Sequence, residues 1–195
     1  MEEIMEKYLS LVSRTSYRIL CDRKDSEFVT VTLFVRLSKR TGSFREGVSE
    51  QQILREACRL CRRRLIRRRL LSLLSIGPEV YVINTPTVPT AEAYVARQAW
   101  EVFCRAARNC AGRDLVVYAL CELEGLSYPE ASSICRYPLR SIEMSIRNVR
   151  FKVMEELDHY GRISDYNAYI GFIRKVKDQL TDEVVLQRKI LKSCI

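Results

Sequence analysis

Histidine is almost missing from this chain: among 195 residues there is one, His159. With it goes the side chain that most often moves protons near neutral pH. Paired carboxylates at a suggestive spacing and a Gly-rich phosphate loop are also lacking. The expectation is therefore a protein that is not an enzyme, with no cofactor and no metal. Glycine (7) and proline (5) are scarce, which points to long regular elements, mainly helices. No run of 18 apolar residues occurs, so no membrane-spanning helix is expected. The start, MEEIMEKYLSLV, is acidic and lacks the positive region and apolar core of a signal peptide. Together these absences predict a cytoplasmic protein.

What is present starts with charge. The net charge is +9, which favours an acidic partner such as nucleic acid or an anionic surface. Residues 1–76 hold 17 Lys+Arg against 9 Asp+Glu, whereas the rest is nearly neutral, 16 against 15. A hydrophobic share of 47% is ample for packed cores and argues against global disorder. The 8 cysteines are expected to be reduced in a cytoplasm. Cys58 and Cys61 have the spacing of half a zinc site or of a redox pair. Both fall on the apolar stripe of a helix, however, so buried, inert thiols are the expected reading.

Taken in order, residues 4–20 place Tyr8, Leu11, Val12 and Ile19 at helical intervals. CDRKD breaks that pattern, and Asp25 or Ser26 is a candidate cap for a second helix. The following EFVTVTLFVRL reads as strand on propensity alone, and composition leaves its type open. SKRTGSFREGVSEQQ reads as a polar loop. Then comes ILREACRLCRRRLIRRRLLSLL, where Leu54, Ala57, Cys58, Cys61 and Leu65 share one helical face. Arg59, Arg62, Arg63 and Arg67 spread over the remainder. Such Arg density with little interleaved Glu repels itself unless a polyanion is near; a solvated charged face is the plainer alternative. Residues 75–92 hold three of the five prolines and no Lys or Arg, which marks a linker and domain boundary. AYVARQAWEVFCRAARNC is a predicted helix anchored by Trp100 and Phe103. DLVVYALCELEG is another, ending at Gly125.

The stretch LSYPEASSICRYPLRSIEMSIRNVRFKVMEEL has its own grammar. Ser127 and Glu130 are spaced as a capping box, predicting a short helix from Tyr128 to about Ile134. Pro138 disfavours helical geometry at Tyr137. A longer helix follows from Leu139, with Ile142, Ile146, Val149 and Val153 on one face. Two helices joined by so short a turn match the helix-turn-helix arrangement. An ordinary helical hairpin with a solvated face carrying Arg140, Glu143, Arg147, Asn148 and Arg150 is the competing reading.

Several of these segments, in this order, resemble the extracytoplasmic-function sigma factors of bacterial RNA polymerase, over roughly residues 5–157. "ALCELEGLSYPEASSI" followed by "SIEMSIRNVR" resembles that family's second-domain pattern. "DSEFVTVTLFVRL" resembles its clamp-binding helix, "TGSF" the Gly-Ser-Phe before the promoter-melting helix, and "ACRLCRRRLIRRR" that basic helix itself. The resemblance implies an all-α chain of two small helical domains. The first (1–75) would contain the Arg-rich helix, a linker (76–92) would follow, and the second (93–160) would contain the helix-turn-helix. A helical tail (161–195) would complete it. The resemblance turns Glu27–Leu37 into a helix. It implies a sigma factor that binds core RNA polymerase through Glu27, Phe28, Val31 and Thr32. Promoter DNA contacts would come from Arg59, Arg62, Arg63 and Arg67 on melted bases, and from Arg140, Ser141, Glu143, Met144, Arg147 and Asn148 on duplex. An anti-sigma factor is a further partner that it allows. The chain departs from the pattern where acidic and amide positions of the clamp-binding helix are Phe28, Val31 and Thr32. It departs again at Arg59, at Cys121, and where two recognition-helix Arg positions are Ser145 and Asn148. A DNA-binding regulator that no longer docks on polymerase is the alternative, and a protein-interaction module is a third class. The tail would either pack back on the second domain or inhibit by covering the DNA-reading face.

Overall fold

In the computed structural model, residues 2–39, 48–73, 91–159 and 169–177 are described, and every regular element among them is helical. The expected linker, apart from its last two residues, and the TGSF segment lie outside these residues.

Helix α1 (Glu2–Leu20) buries Tyr8, Val12 and Ile19 as the spacing predicts. It stops at Cys21, whose backbone enters the left-handed region at φ 52°. Helix α2 (Arg23–Lys39) covers the segment whose propensity pointed to a strand. Its cap is Asp22, whose Oδ1 accepts from the Asp25 amide at 2.8 Å, and neither Asp25 nor Ser26 serves as the cap. Val29, Leu33, Phe34 and Leu37 form its buried stripe. Phe28, Val31 and Val35 are exposed on the opposite side. Apolar residues on both faces blur the helical period, so β-propensity dominated the local signal.

Helix α3 (Glu50–Leu73) is 24 residues long. It begins with a cap of the Ser-x-x-Gln type inside the stretch read as loop. The Gln52 amide donates to Ser49 Oγ at 3.3 Å, and the Ser49 amide donates to Gln52 Oε1 at 3.2 Å. Leu54, Ala57, Cys58 and Cys61 are buried, and Leu65 packs against the core. Helices α1, α2 and α3 contact one another pairwise.

Helix α4 (Ala91–Arg108) buries Trp100 and Phe103. These rings stack with each other and continue to Tyr17 on one side and Tyr118 on the other. Helix α5 (Gly112–Tyr118) runs into a π-helical turn, Ala119–Leu123, closed by the Glu124 amide donating to the Ala119 carbonyl at 2.8 Å. Gly125 follows at φ 81°, a conformation that any side chain would strain.

Helix α6 (Tyr128–Cys135) is held by the predicted capping box, with the Ser127 amide donating to Glu130 Oε2 at 2.8 Å. The Ser127 hydroxyl, which donates to the same oxygen at 2.5 Å, and then the amide hold the Glu130 carboxyl below its ordinary value. The helix ends at Arg136, φ 57°, and Ser132 Oγ donates to the Tyr137 carbonyl at 2.5 Å, closing the connection. Helix α7 (Leu139–His159) then presents Ile142, Ile146, Val149 and Val153 to the core. Each such side chain contributes roughly 1.5–3 kcal/mol on burial. A last described helix, 169–177, buries Tyr169, Phe172, Ile173 and Val176.

One apolar cluster runs through both halves of the chain. Helix α3 packs against α5 and α6, and α1 against the π turn.

Candidate nucleic-acid interface

The sequence reading depends on two helices, α3 and α7. Helix α7 is positioned by its buried stripe, and the opposite side holds Arg140, Glu143, Met144, Arg147 and Phe151, all exposed. Ser141 is half-buried at its start. Phe151 is 64% exposed, an unusual placement for a phenyl ring on a helix otherwise so regular. Asn148 is exposed as well, with its amide tied to a buried acid, whereas Ser145 is turned inward. Ser145 is fully buried, and its Oγ donates to Asp114 Oδ1 at 2.7 Å. The Asn148 amide nitrogen donates to Asp114 Oδ2 at 3.1 Å. Asp114, itself buried, also pairs with Arg113 at 3.4 Å. At the two positions where the resembled pattern has Arg, this chain thus has a clamp between α5 and α7. A concavity of about 390 Å³ opens beside it, bordered by Asn109, Ala111, Arg147, Phe151 and Lys152.

On α3 the cations divide. Asp25 takes Arg64 at 2.5 Å and also pairs with Arg68, which reaches Asp22 at 3.4 Å. The Arg64 guanidinium lies 4.9 Å from the Phe28 ring centroid. Arg55 donates to the Ser133 carbonyl at 3.1 Å and Arg69 to the Cys110 carbonyl. The self-repulsion argued from composition is therefore relieved in part from within, by acids some 40 residues away and by carbonyls of the other half. The four Arg singled out from sequence, Arg59, Arg62, Arg63 and Arg67, are all exposed. Of these, Arg59 pairs with Glu56 at 3.5 Å, and Arg62 donates to the Tyr137 hydroxyl at 2.8 Å.

Helix α2 presents Phe28 (53% exposed) and Val31 (48%) outward, with Glu27 and Thr32 half-buried. Glu27 accepts from Arg23 one turn earlier at 3.1 Å. The four residues assigned to polymerase docking thus lie along one apolar-rich strip of a helix.

Sequence reasoning missed a buried ion pair. Arg18 on α1 reaches Glu124 at 2.9 Å and donates to the Leu123 carbonyl at 2.7 Å. Arg14 also reaches Glu124, at 2.9 Å. Burial pulls the Arg18 guanidinium below its ordinary value, and Glu124 offsets part of that shift. Its only sequence signal was a charge interrupting the apolar face of α1.

No group of three or more His, Cys, Asp or Glu among the described residues is placed to hold a metal. Burial pushes the Cys58 thiol well above its usual range and the Cys61 thiol up to about 12, as an inert pair requires. Cys121 is buried, and its thiol is pushed up to about 11. The 169–177 helix docks through Tyr169, whose hydroxyl lies 2.6 Å from that of Tyr118, with the Arg150 guanidinium 6.0 Å from its ring centroid. It leaves Glu143, Met144 and Arg147 exposed, and the rest of the expected tail lies outside the described residues. No described helix is long and apolar enough to cross a membrane.

No protein-family model matches the chain, and no curated protein does.

Proposed function

We propose that this protein is a DNA-binding subunit of transcription initiation of the sigma type, with no chemistry of its own. The observation that carries the reading is the outward set on α7. A capped short helix, a three-residue connection with a left-handed residue, and a long helix exposing Arg140, Glu143, Met144 and Arg147 together suit a helix-turn-helix in the major groove. Arg recognises guanine edges, Glu accepts from cytosine, and an apolar tip meets the thymine methyl. The exposed Arg59, Arg63 and Arg67 of α3 supply the positive surface on which unpaired bases of a melted promoter are held. Glu27, Phe28, Val31 and Thr32 are the polymerase-facing strip.

The test is retention of core RNA polymerase by the immobilised full chain, followed by run-off transcription from promoters recovered by genome-wide occupancy. Retention with promoter-dependent transcripts is the expected result. A chain that neither retains polymerase nor supports any transcript does not have this function. Phe28 and Val31 favour a second reading, because apolar side chains stand where the resembled clamp-binding helix is acidic and amide-bearing. On that reading the protein is a DNA-binding regulator independent of polymerase. It would bind duplex with sequence preference and fail to retain core enzyme.

A further inference from the structure

We propose that the junction of α3 with the α6–α7 connection is a third contact to nucleic acid, a seat for the phosphodiester backbone of the duplex that α7 reads. This rests on the duplex-reading assignment made above, and it adds a site belonging to neither helix alone.

The observation is a cluster of cations around one ring. Arg62 donates to the Tyr137 hydroxyl at 2.8 Å. From α5, the Arg113 guanidinium lies 5.9 Å from the Tyr137 ring centroid. Both Arg are exposed. Arg136 precedes Tyr137 in the chain and is exposed as well. Arg113 pairs with Asp114 at 3.4 Å, and that carboxylate is buried and already accepts from Ser145 and Asn148. The nearest acid on α3, Glu56, is paired with Arg59. A concentration of exposed guanidinium groups, with the Asp114 carboxylate withdrawn into the protein, suits a polyanion.

The cluster exists because the two halves are packed. Leu65 of α3 lies against Gly112, where an added Cβ would come within 3.2 Å of the Leu65 Cβ. Arg55 and Arg69 tie the same helix to the carbonyls of Ser133 and Cys110. Tyr137 orients Arg62 without neutralising it, since a phenol accepts a hydrogen bond and leaves the charge unpaired. Fixed guanidinium forks are suited to phosphate oxygens. Because the cluster adjoins the start of α7, the strand beside the groove occupied by that helix is the backbone within reach.

The experiment is fluorescence anisotropy of the full chain on a short mixed-sequence duplex over a range of salt concentrations. Each phosphate contact adds about one to the slope of log affinity against log salt. Arg62→Gln and Arg113→Gln should each reduce that slope by about one, and the double variant by about two. Arg62→Lys and Arg113→Lys should keep the parental slope, because they restore the charge. Arg36→Gln, exposed on α2, which supplies none of the cluster's residues, should leave the slope unchanged. Gln variants with the parental slope would overturn the proposal while leaving duplex reading by α7 intact. If the unmodified chain binds no duplex at low salt, both fall.

Discussion

Asp114 shows how a single residue sets the chemistry of a whole helix face. Its carboxylate accepts from Ser145 and Asn148 and pairs with Arg113. Removing one donor from a buried acceptor costs about 1–3 kcal/mol. Ser145→Ala should therefore lower unfolding stability by that amount in urea denaturation, and Ser145→Thr by less if the hydroxyl keeps its bond. The thiols carry a second prediction. Cys61, Cys110 and Cys135 are each pushed up to about 12 by burial, against an ordinary value of 9.0. For an acid whose folded value is raised, the folded state holds more protons than the unfolded state between those limits. Its contribution is thus complete below about pH 9 and is lost as pH rises towards 12. Unfolding free energy should fall over that window by up to ~1.4 kcal/mol per pH unit for each thiol. Serine replacement of any one should flatten the slope. A pH-independent stability there would contradict the buried neutral thiols.

At the scale of elements, the connections matter more than the helices they join. Arg136 holds a left-handed conformation at φ 57°, which disfavours a residue with a Cβ by roughly 1–2 kcal/mol. Glycine gives back about 0.5–1 kcal/mol of that in chain entropy. Arg136→Gly should therefore stabilise the protein by roughly 1 kcal/mol, read as a rise in melting temperature. The π turn before Gly125 has another role. It widens the helix so that the Leu123 carbonyl and the Glu124 side chain both meet Arg18 of α1. Helix α2 shows how an element can be misread. Its buried stripe, Val29, Leu33, Phe34 and Leu37, has a regular helical period. The exposed Phe28, Val31 and Val35 fill in the positions between, so the local pattern resembles an unbroken β-branched run.

For the molecule as a whole, the decisive contact is the Arg14–Glu124–Arg18 cluster. Glu124 and Arg18 are nearly excluded from solvent, with side chains 5% and 7% exposed. Removing one partner of a buried ion pair typically costs 3–5 kcal/mol because the other charge stays buried. Glu124→Ala should weaken stability by about that much, and pairing it with Arg18→Leu should recover a large part. Additive losses in the double variant would show that the two charges are not coupled. This coupling joins helices that the chain separates by more than 100 residues.

The sequence by itself determined what depends on neighbours along the chain. The stripes of α1, α3, α4 and α7, the capping box at Ser127, the left-handed glycine at 125 and the apolar setting of Cys58 and Cys61 were all legible. Helical periodicity and caps act within a few residues, so their physics is written locally. The candidate site was legible only in part: the exposure of Arg140, Glu143, Arg147 and Asn148 followed from the period of α7, whereas Arg150, expected on the same face, is half-buried and pairs with Glu122. The tertiary structure alone decided that Arg64 and Arg68 answer to Asp22 and Asp25, that Ser145 and Asn148 clamp Asp114, and that Arg62 meets Tyr137. Those pairings depend on which surfaces are packed together. A charge or hydroxyl states its need for a partner in the sequence, but only the packing of helices distant along the chain supplies one.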